Sequence, residues 1–357
     1  METSHTLTDT TSVPPIAFVN GSQKAALLPL LAKHVALSIV TLGLYSFWTR
    51  AEIRQYVLSN TRFGDGRFGY IGTGTGGSIG FAIGFFCGVI PLVGIPVIAF
   101  LSFPQIFPMV LAAAVLIGLF LWGVAEFHIR RFRGNNTVWQ DVPLSMPGNG
   151  IGYAIVVFLL RLLAILTFGL TVPLLDAARA QRLGRAVWCG EQRVQLSLSA
   201  APLYKKYLLA WVLFPFTLGF SASLYRAAKF RYFAREVRMD DVRFRFDSRT
   251  ADVLFFELVN KSSILGITLT IGSVGFALML LIGPLLGFEN LLISLGTQIG
   301  ISAGLALVIF ALTLCVTSAI LFVRKLEFFF QHIRAKGTID AEALMEGGSM
   351  YDDYPRD

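Results

Sequence analysis

The sequence predicts an all-α polytopic membrane protein, built from two pseudo-repeated helical halves with small β-hairpins on the cytoplasmic side. Three observations carry that prediction. Residues 68–125 hold no Asp, Glu, Lys or Arg, and residues 262–323 hold only Glu289. Each run is long enough for two crossings of a ~30 Å hydrocarbon core at ~20 residues each. Basic residues gather in the polar segments between the apolar runs, and a Thr-x-Gly step closes three of those runs. Charged residues make up 15% of the 357 and hydrophobic residues 55%, against ~25% charged in an ordinary soluble domain. That balance overrides the two soluble domains that length alone would suggest.

In chain order, residues 1–23 are polar without a basic group, and they read as a disordered tail rather than a secretion signal. Residues 24–150 form a first membrane half with spans at 25–48, 78–101 and 105–125. Residues 151–202 are a connecting segment with a span at 151–175, followed by a polar loop. Residues 203–340 form a second half with spans at 207–224, 262–287 and 291–323, and 341–357 are a disordered acidic tail. Arginines and lysines follow the first, third, fifth and seventh spans and fill the loop between the fourth and fifth, whereas the turns at 102–104 and 288–290 lack basic residues. The positive-inside rule puts the basic segments, and the C-terminus, in the cytoplasm. Spans four and five then have both ends on one side. Either their loop is exported against the rule or the two spans are re-entrant, which requires protein or a water-filled cavity around them.

The first, fourth and fifth spans end in Thr41-Leu42-Gly43, Thr167-Phe168-Gly169 and Thr217-Leu218-Gly219. A slide of 176 positions also matches Tyr56 with Tyr232, Asp65 with Asp241 and Phe68 with Phe244. In each copy Gly loosens the helix and the Thr hydroxyl bonds back to the preceding turn. An amphipathic stretch follows, with Trp48, Arg50 and Arg54 in the first copy and Arg226 and Lys229 in the later one. These suit phospholipid headgroups. Then come the hairpin signals: Gly64-Asp65-Gly66 between Arg62-Phe63 and Arg67-Phe68, and period-two alternation at Val242-Arg243-Phe244-Arg245-Phe246 and Val194-Gln195-Leu196-Ser197-Leu198.

The run Thr41-Leu42-Gly43-Leu44-Tyr45-Ser46-Phe47-Trp48-Thr49-Arg50, with Arg54, Asn60-Thr61, Phe68, Tyr70 and Gly72, resembles the repeated signature of the YjgN family of bacterial inner-membrane proteins. The likeness extends over about 18–336; in the later copy Leu224 replaces Trp48 and Glu236 replaces Asn60. The resemblance implies a multi-pass protein of the bacterial inner membrane. The family has no established activity, so no catalytic residue carries over.

The remaining motifs read as architecture. Gly72-Thr73-Gly74-Thr75-Gly76-Gly77 fits the dinucleotide pattern, but a span follows and no acid appears until Glu126. Gly76-Gly77-Ser78-Ile79-Gly80 fits the nucleophile pattern and His34 lies in another span. The four-residue period of Gly76, Gly80, Gly84 and Gly88, echoed by Gly296, Gly300 and Gly304, instead suits close helix packing. Three cysteines exclude a disulfide framework, and four scattered histidines make no metal set. No cofactor, metal, nucleic acid or enzymatic activity is expected; membrane lipids are the expected partners, anionic phospholipid foremost. Ionisable groups within spans mark function, and Arg161 stands in the middle of the fourth. Arg161, Thr41, Gly43, Thr167, Gly169, Thr217 and Gly219 are the candidate pathway of a transporter or channel. A lipid-organising scaffold is the alternative, and an intramembrane serine hydrolase the remote one.

Overall fold

Short alternating stretches scattered along the chain pair with one another in a computed structural model. It describes residues 16–20, 33, 37, 45–63, 66–217, 219–239, 242–285, 324–325 and 327–336. The strands are β1 (Ile16–Asn20), β2 (Thr61–Phe63), β3 (Gly66–Tyr70), β4 (Thr137–Trp139), β5 (Val142–Ser145), β6 (Trp188–Cys189), β7 (Gln192–Arg193), β8 (Gln195–Leu196), β9 (Val237–Met239), β10 (Val242–Phe246) and β11 (Ile333–Lys336). They form one sheet in the order β7-β6-β5-β4-β3-β2-β1-β11-β10-β9-β8, and every pair is antiparallel. Only Val194 separates the two end strands in the chain. The two ends of the sheet are thus one continuous stretch, 192–196, whose first part pairs with β6 and whose second part pairs with β9, linking the sheet into a ring. Phe63, Trp139, Val142, Cys189, Val242 and Ala335, contributed from all round the sheet, meet in one buried cluster inside it. Phe63 stacks on Phe244 across that interior with ring centroids 6.3 Å apart.

The ring sorts its connections by length. Tight turns join β2 to β3, β4 to β5, β6 to β7 and β9 to β10. Gln140 and Asp141, at φ 47° and 64°, make the β4–β5 turn, both in the left-handed region that such hairpins demand. Because neighbours are antiparallel, these turns share one edge. The long connections leave from the other edge. The helices therefore rise from one side of the ring.

The helices are α1 (Ser46–Ser59), α2 (Gly74–Gly84), α3 (Ile90–Ser102), α4 (Phe107–Asn135), α5 (Gly150–Leu166), α6 (Val172–Arg185), α7 (Ala201–Leu213), α8 (Ala222–Glu236) and α9 (Thr250–Leu285). A wider π-turn, Phe85–Val89, joins α2 to α3, where Pro91 lacks the amide that would bond the preceding turn. Gly74–Ser102, Phe107–Asn135 and Thr250–Thr270 are each long and apolar enough to cross a membrane. Their side chains face outward, with Leu101 74% and Met109 72% exposed, an apolar surface that water does not accommodate.

The structure corrects the all-α expectation: the hairpins are not separate appendages but one sheet, because the outer edge of each hairpin pairs with a strand that arrives across a long connection. It also divides the fourth and fifth apolar runs. Residues 151–175 become two legs, α5 and α6, running from β5 back to its neighbour β6. Residues 207–224 become α7 and the start of α8, within a connection from β8 back to its neighbour β9. Both breaks use one set of bonds. The Thr167 and Thr217 hydroxyls each donate to the carbonyl four residues back, Leu163 and Leu213, at 2.8 Å. The Gly169 and Gly219 amides, at φ 88° and 82°, reach the carbonyls of Ala164 and Phe214 five residues back, the closing bond of a Schellman cap. Residues 16–20, expected from the sequence to belong to a disordered tail, instead form β1, because pairing with β2 and β11 satisfies their backbone. Thr41, Gly43, Gly296, Gly300, Gly304, residues 1–15 and 341–357 and the span at 291–323 lie outside the described residues.

Candidate functional site

Small residues bring the site together. A Cβ on Gly123 of α4 would stand 3.1 Å from the Ala154 Cα of α5, so the two helices approach closely. Ala154, Val157, Arg161 and Ala164 recur at the spacing of one helix face, and one turn beyond Gly123 is Glu126. Asn149 fixes the start of α5 by accepting the Ile151 amide at 2.9 Å, as N-caps do. The α5–α6 turn then folds Arg179 back against both.

Glu126 is the hub. Its Oε2 accepts from Arg161 Nη2 at 3.0 Å, and its Oε1 accepts from Arg130 at 3.2 Å and from Arg179. Arg161 also donates to the Leu119 carbonyl at 3.2 Å and lies 5.9 Å from the Trp122 ring centroid. Three guanidiniums thus face one carboxylate. The Glu126 side chain is 9% exposed and that of Arg161 13%, so the pairing occurs where an uncompensated charge is costly.

A second polar contact ties the two broken hairpins together. Asp176 of α6 accepts from Tyr225 Oη at 2.8 Å and from Lys229 Nζ at 2.9 Å, both on α8. Tyr207 of α7 donates to the Gly169 carbonyl at 2.6 Å.

Of the residues singled out from the sequence, the structure joins Arg161 to Glu126 and to Arg130, Arg179 and Trp122, not to the Thr-x-Gly steps. Thr167 and Gly169 cap the far end of the α5 leg, and Thr217 and Gly219 cap α7. Lys229 and Arg226, read as headgroup ligands, are paired with carboxylates: Asp176, and Glu257 at 2.6 Å. Trp48 stacks on Tyr45 at 5.8 Å and receives Gly74, whose Cβ would fall 2.6 Å from the Trp48 Cα. Arg50 is exposed, and Arg54 lies 5.9 Å from the Tyr70 ring centroid. Gly76 packs on Phe132, but Gly80, Gly84 and Gly88 meet nothing within 4 Å among the described residues. Their four-residue period, read as a packing face, is filled only at its first position there. Ser78 Oγ donates to Thr75 O of its own helix at 2.8 Å, and His34 lies outside the described residues. No His, Cys, Asp and Glu group that would hold a metal occurs among the described residues.

Sequence reasoning missed Arg179, Tyr153, Asp176 and Tyr225. Asp176 had a signal, as the sole acid between Asp141 and Glu191. Arg179 had none, being one basic residue in a basic run.

The model of a bacterial protein family of unknown function, DUF898, matches residues 17–220, more than half of the chain. The chain belongs to this family. It is the YjgN family whose signature the first repeat resembles, and the match takes in Glu126, Tyr153, Arg161, Asp176 and Arg179 while ending before Tyr225 and Lys229. No curated protein and no solved structure matches the chain, so membership of the DUF898 family brings no activity with it.

Proposed function

We propose that the chain is a multi-pass protein of the bacterial inner membrane that moves a solute, with its β-ring, both termini and the basic segments in the cytoplasm. The observation that carries this reading is the Glu126–Arg161–Arg179 cluster inside otherwise apolar helices. Arg161 is eleven residues into α5 and Glu126 nine from the end of α4, which puts them about 16 and 14 Å from the ring edge at ~1.5 Å per residue. With that edge at the membrane surface, the cluster lies near the middle of a ~30 Å core, where ionisable groups mark solute and ion pathways.

In this reading α5/α6 and α7/α8 are re-entrant hairpins. Their legs have 17, 14, 13 and 15 residues, about 20–25 Å each and too short to cross. The shared cap at Thr167–Gly169 and Thr217–Gly219 supports an internal duplication with interrupted helices in matching places, as in many transporters. Flux assays on purified protein in liposomes, with anions, cations and neutral solutes, test the reading. Arg161→Gln is expected to cut flux at least about tenfold while helicity is kept. A folded protein that moves none of the solutes overturns it.

The exposed hairpin tips favour a second reading, a lipid-organising scaffold. Phe168 is 86% and Phe216 83% exposed. That role expects stability to follow anionic lipid and to ignore Arg161→Gln.

A further inference from the structure

The groups that Glu126 leaves unsatisfied define the chemistry this cluster is built to take. Two of them stand beside it without a hydrogen-bond partner: the Tyr153 hydroxyl, on a residue 4% exposed, and Nε of Arg179. The two side chains face each other. A bond between them would still leave the phenolic proton without an acceptor. The cluster is therefore short of acceptor oxygens. It is also overcharged, since Arg130, Arg161 and Arg179 share the single carboxylate of Glu126.

Its cations are graded from the surface inward. The side chains of Arg130, Arg179 and Arg161 are 52%, 28% and 13% exposed, and Tyr153 is more enclosed than any of them. Guanidinium forks match the paired oxygens of phosphate and carboxylate groups. An incoming oxyanion meets Arg130 first, and its oxygens supply what the Arg179 and Tyr153 donors lack.

We propose that Arg130, Arg179, Arg161 and Tyr153 form a binding site for a phosphate-type oxyanion, with Glu126 as the internal counter-ion that the ligand displaces. The proposal deepens the transport reading, on which it rests for its purpose, by naming the substrate class of the same site. The same chemistry is offered by a free phosphate and by the headgroup of an anionic phospholipid.

The test follows the thermal midpoint of the full chain in nanodiscs. One arm uses phosphatidylcholine discs titrated with inorganic phosphate, against chloride at equal ionic strength. The other uses discs with one third phosphatidylglycerol and no phosphate. Wild type is expected to gain stability in at least one arm. Glu126→Gln, which strips the arginines of their counter-ion, is expected to lose stability in chloride, to regain it with the oxyanion, and to respond at about tenfold lower concentration than wild type. Tyr153→Phe keeps every charge and nearly all the volume, so it reports even if Glu126→Gln fails to fold; its response should weaken about tenfold. Restoration by phosphate alone identifies a free solute, and by phosphatidylglycerol alone a headgroup. Equal effects of chloride and phosphate with no gain in the phosphatidylglycerol discs, or a Tyr153→Phe response like that of wild type, overturn the site. Stabilisation without flux removes transport and keeps the site, whereas flux of a cation or neutral solute without any oxyanion response does the reverse.

Discussion

Cys189 stands in a polar stretch of the sequence, yet its side chain points into the ring interior beside Trp139 and Val142 and is 6% exposed. Burial pushes its thiol above the ordinary range, because a thiolate there would lose its hydration. The reactive form is thus scarce and enclosed. With Cys87 and Cys315 replaced by Ala, maleimide is expected to leave Cys189 unmodified in the native protein from either side and to label it in denaturant. The sign of the pH effect follows. Cys189 contributes its full stability below the unfolded thiol pKa of ~8.5, and that contribution fades as pH rises through the higher folded value. A thermal midpoint that falls on moving from pH 8 to pH 10, but falls less in Cys189→Ala, checks it. Trp139 makes the same point about position: in a polar stretch of the sequence it fills the ring, 6% exposed.

At the scale of elements, what was legible in the sequence is what short-range chemistry decides. The steps at Thr167–Gly169 and Thr217–Gly219 end their helices because the back-bonding hydroxyl and the left-handed glycine both act within six residues. Ala at Gly169 or Gly219 forces a Cβ into φ 88° or 82°, at a cost of about 1–2 kcal/mol, so each variant should lower the thermal midpoint by a few degrees. The alternation of Val242–Phe246 likewise foretold β10. Its partner β9 lies across a tight turn, but β11 comes from the far end of the chain, just as β1 joins β2 across a 40-residue connection, and such long-range partners were hidden. The site was half legible for the same reason. Arg161 stood out as a lone charge in an apolar run and Glu126 as the first acid after one, but their meeting depends on how α4 and α5 cross. Gly123 sets that crossing. Gly123→Leu drives a side chain into the Ala154 backbone and should cost about 1–3 kcal/mol. Its thermal midpoint should fall further than that of Gly118→Leu, because the Cβ at Gly118 meets only a leucine tip at 3.7 Å.

For the molecule as a whole, the closed sheet explains the conflict in the charge pattern. A chain that threads through a ring of antiparallel neighbours returns each long connection to the edge it left, so the basic residues at both ends of α5/α6 and of α7/α8 lie on one side of the ring. The ring is also filled by Phe63, Trp139 and Val242, so the transport reading requires a route between the helices rather than along the ring axis. Single cysteines in a background lacking Cys87 and Cys315 test this arrangement, Cys189 being shielded. Asp141→Cys and Glu191→Cys, in exposed tight turns, should react with an impermeant maleimide only after the cells are permeabilised. Ser102→Cys, between the long helices α3 and α4, should react in intact cells. Phe168→Cys and Phe216→Cys, at the hairpin tips, should react in neither condition if the hairpins are re-entrant, with both tips ending inside the hydrocarbon. Reaction of both tip cysteines in intact cells would make the four short legs crossings. The ring would then have to lie partly within the bilayer to make up the missing length, and Arg161 and Glu126 would move away from the midplane on which the transport reading depends.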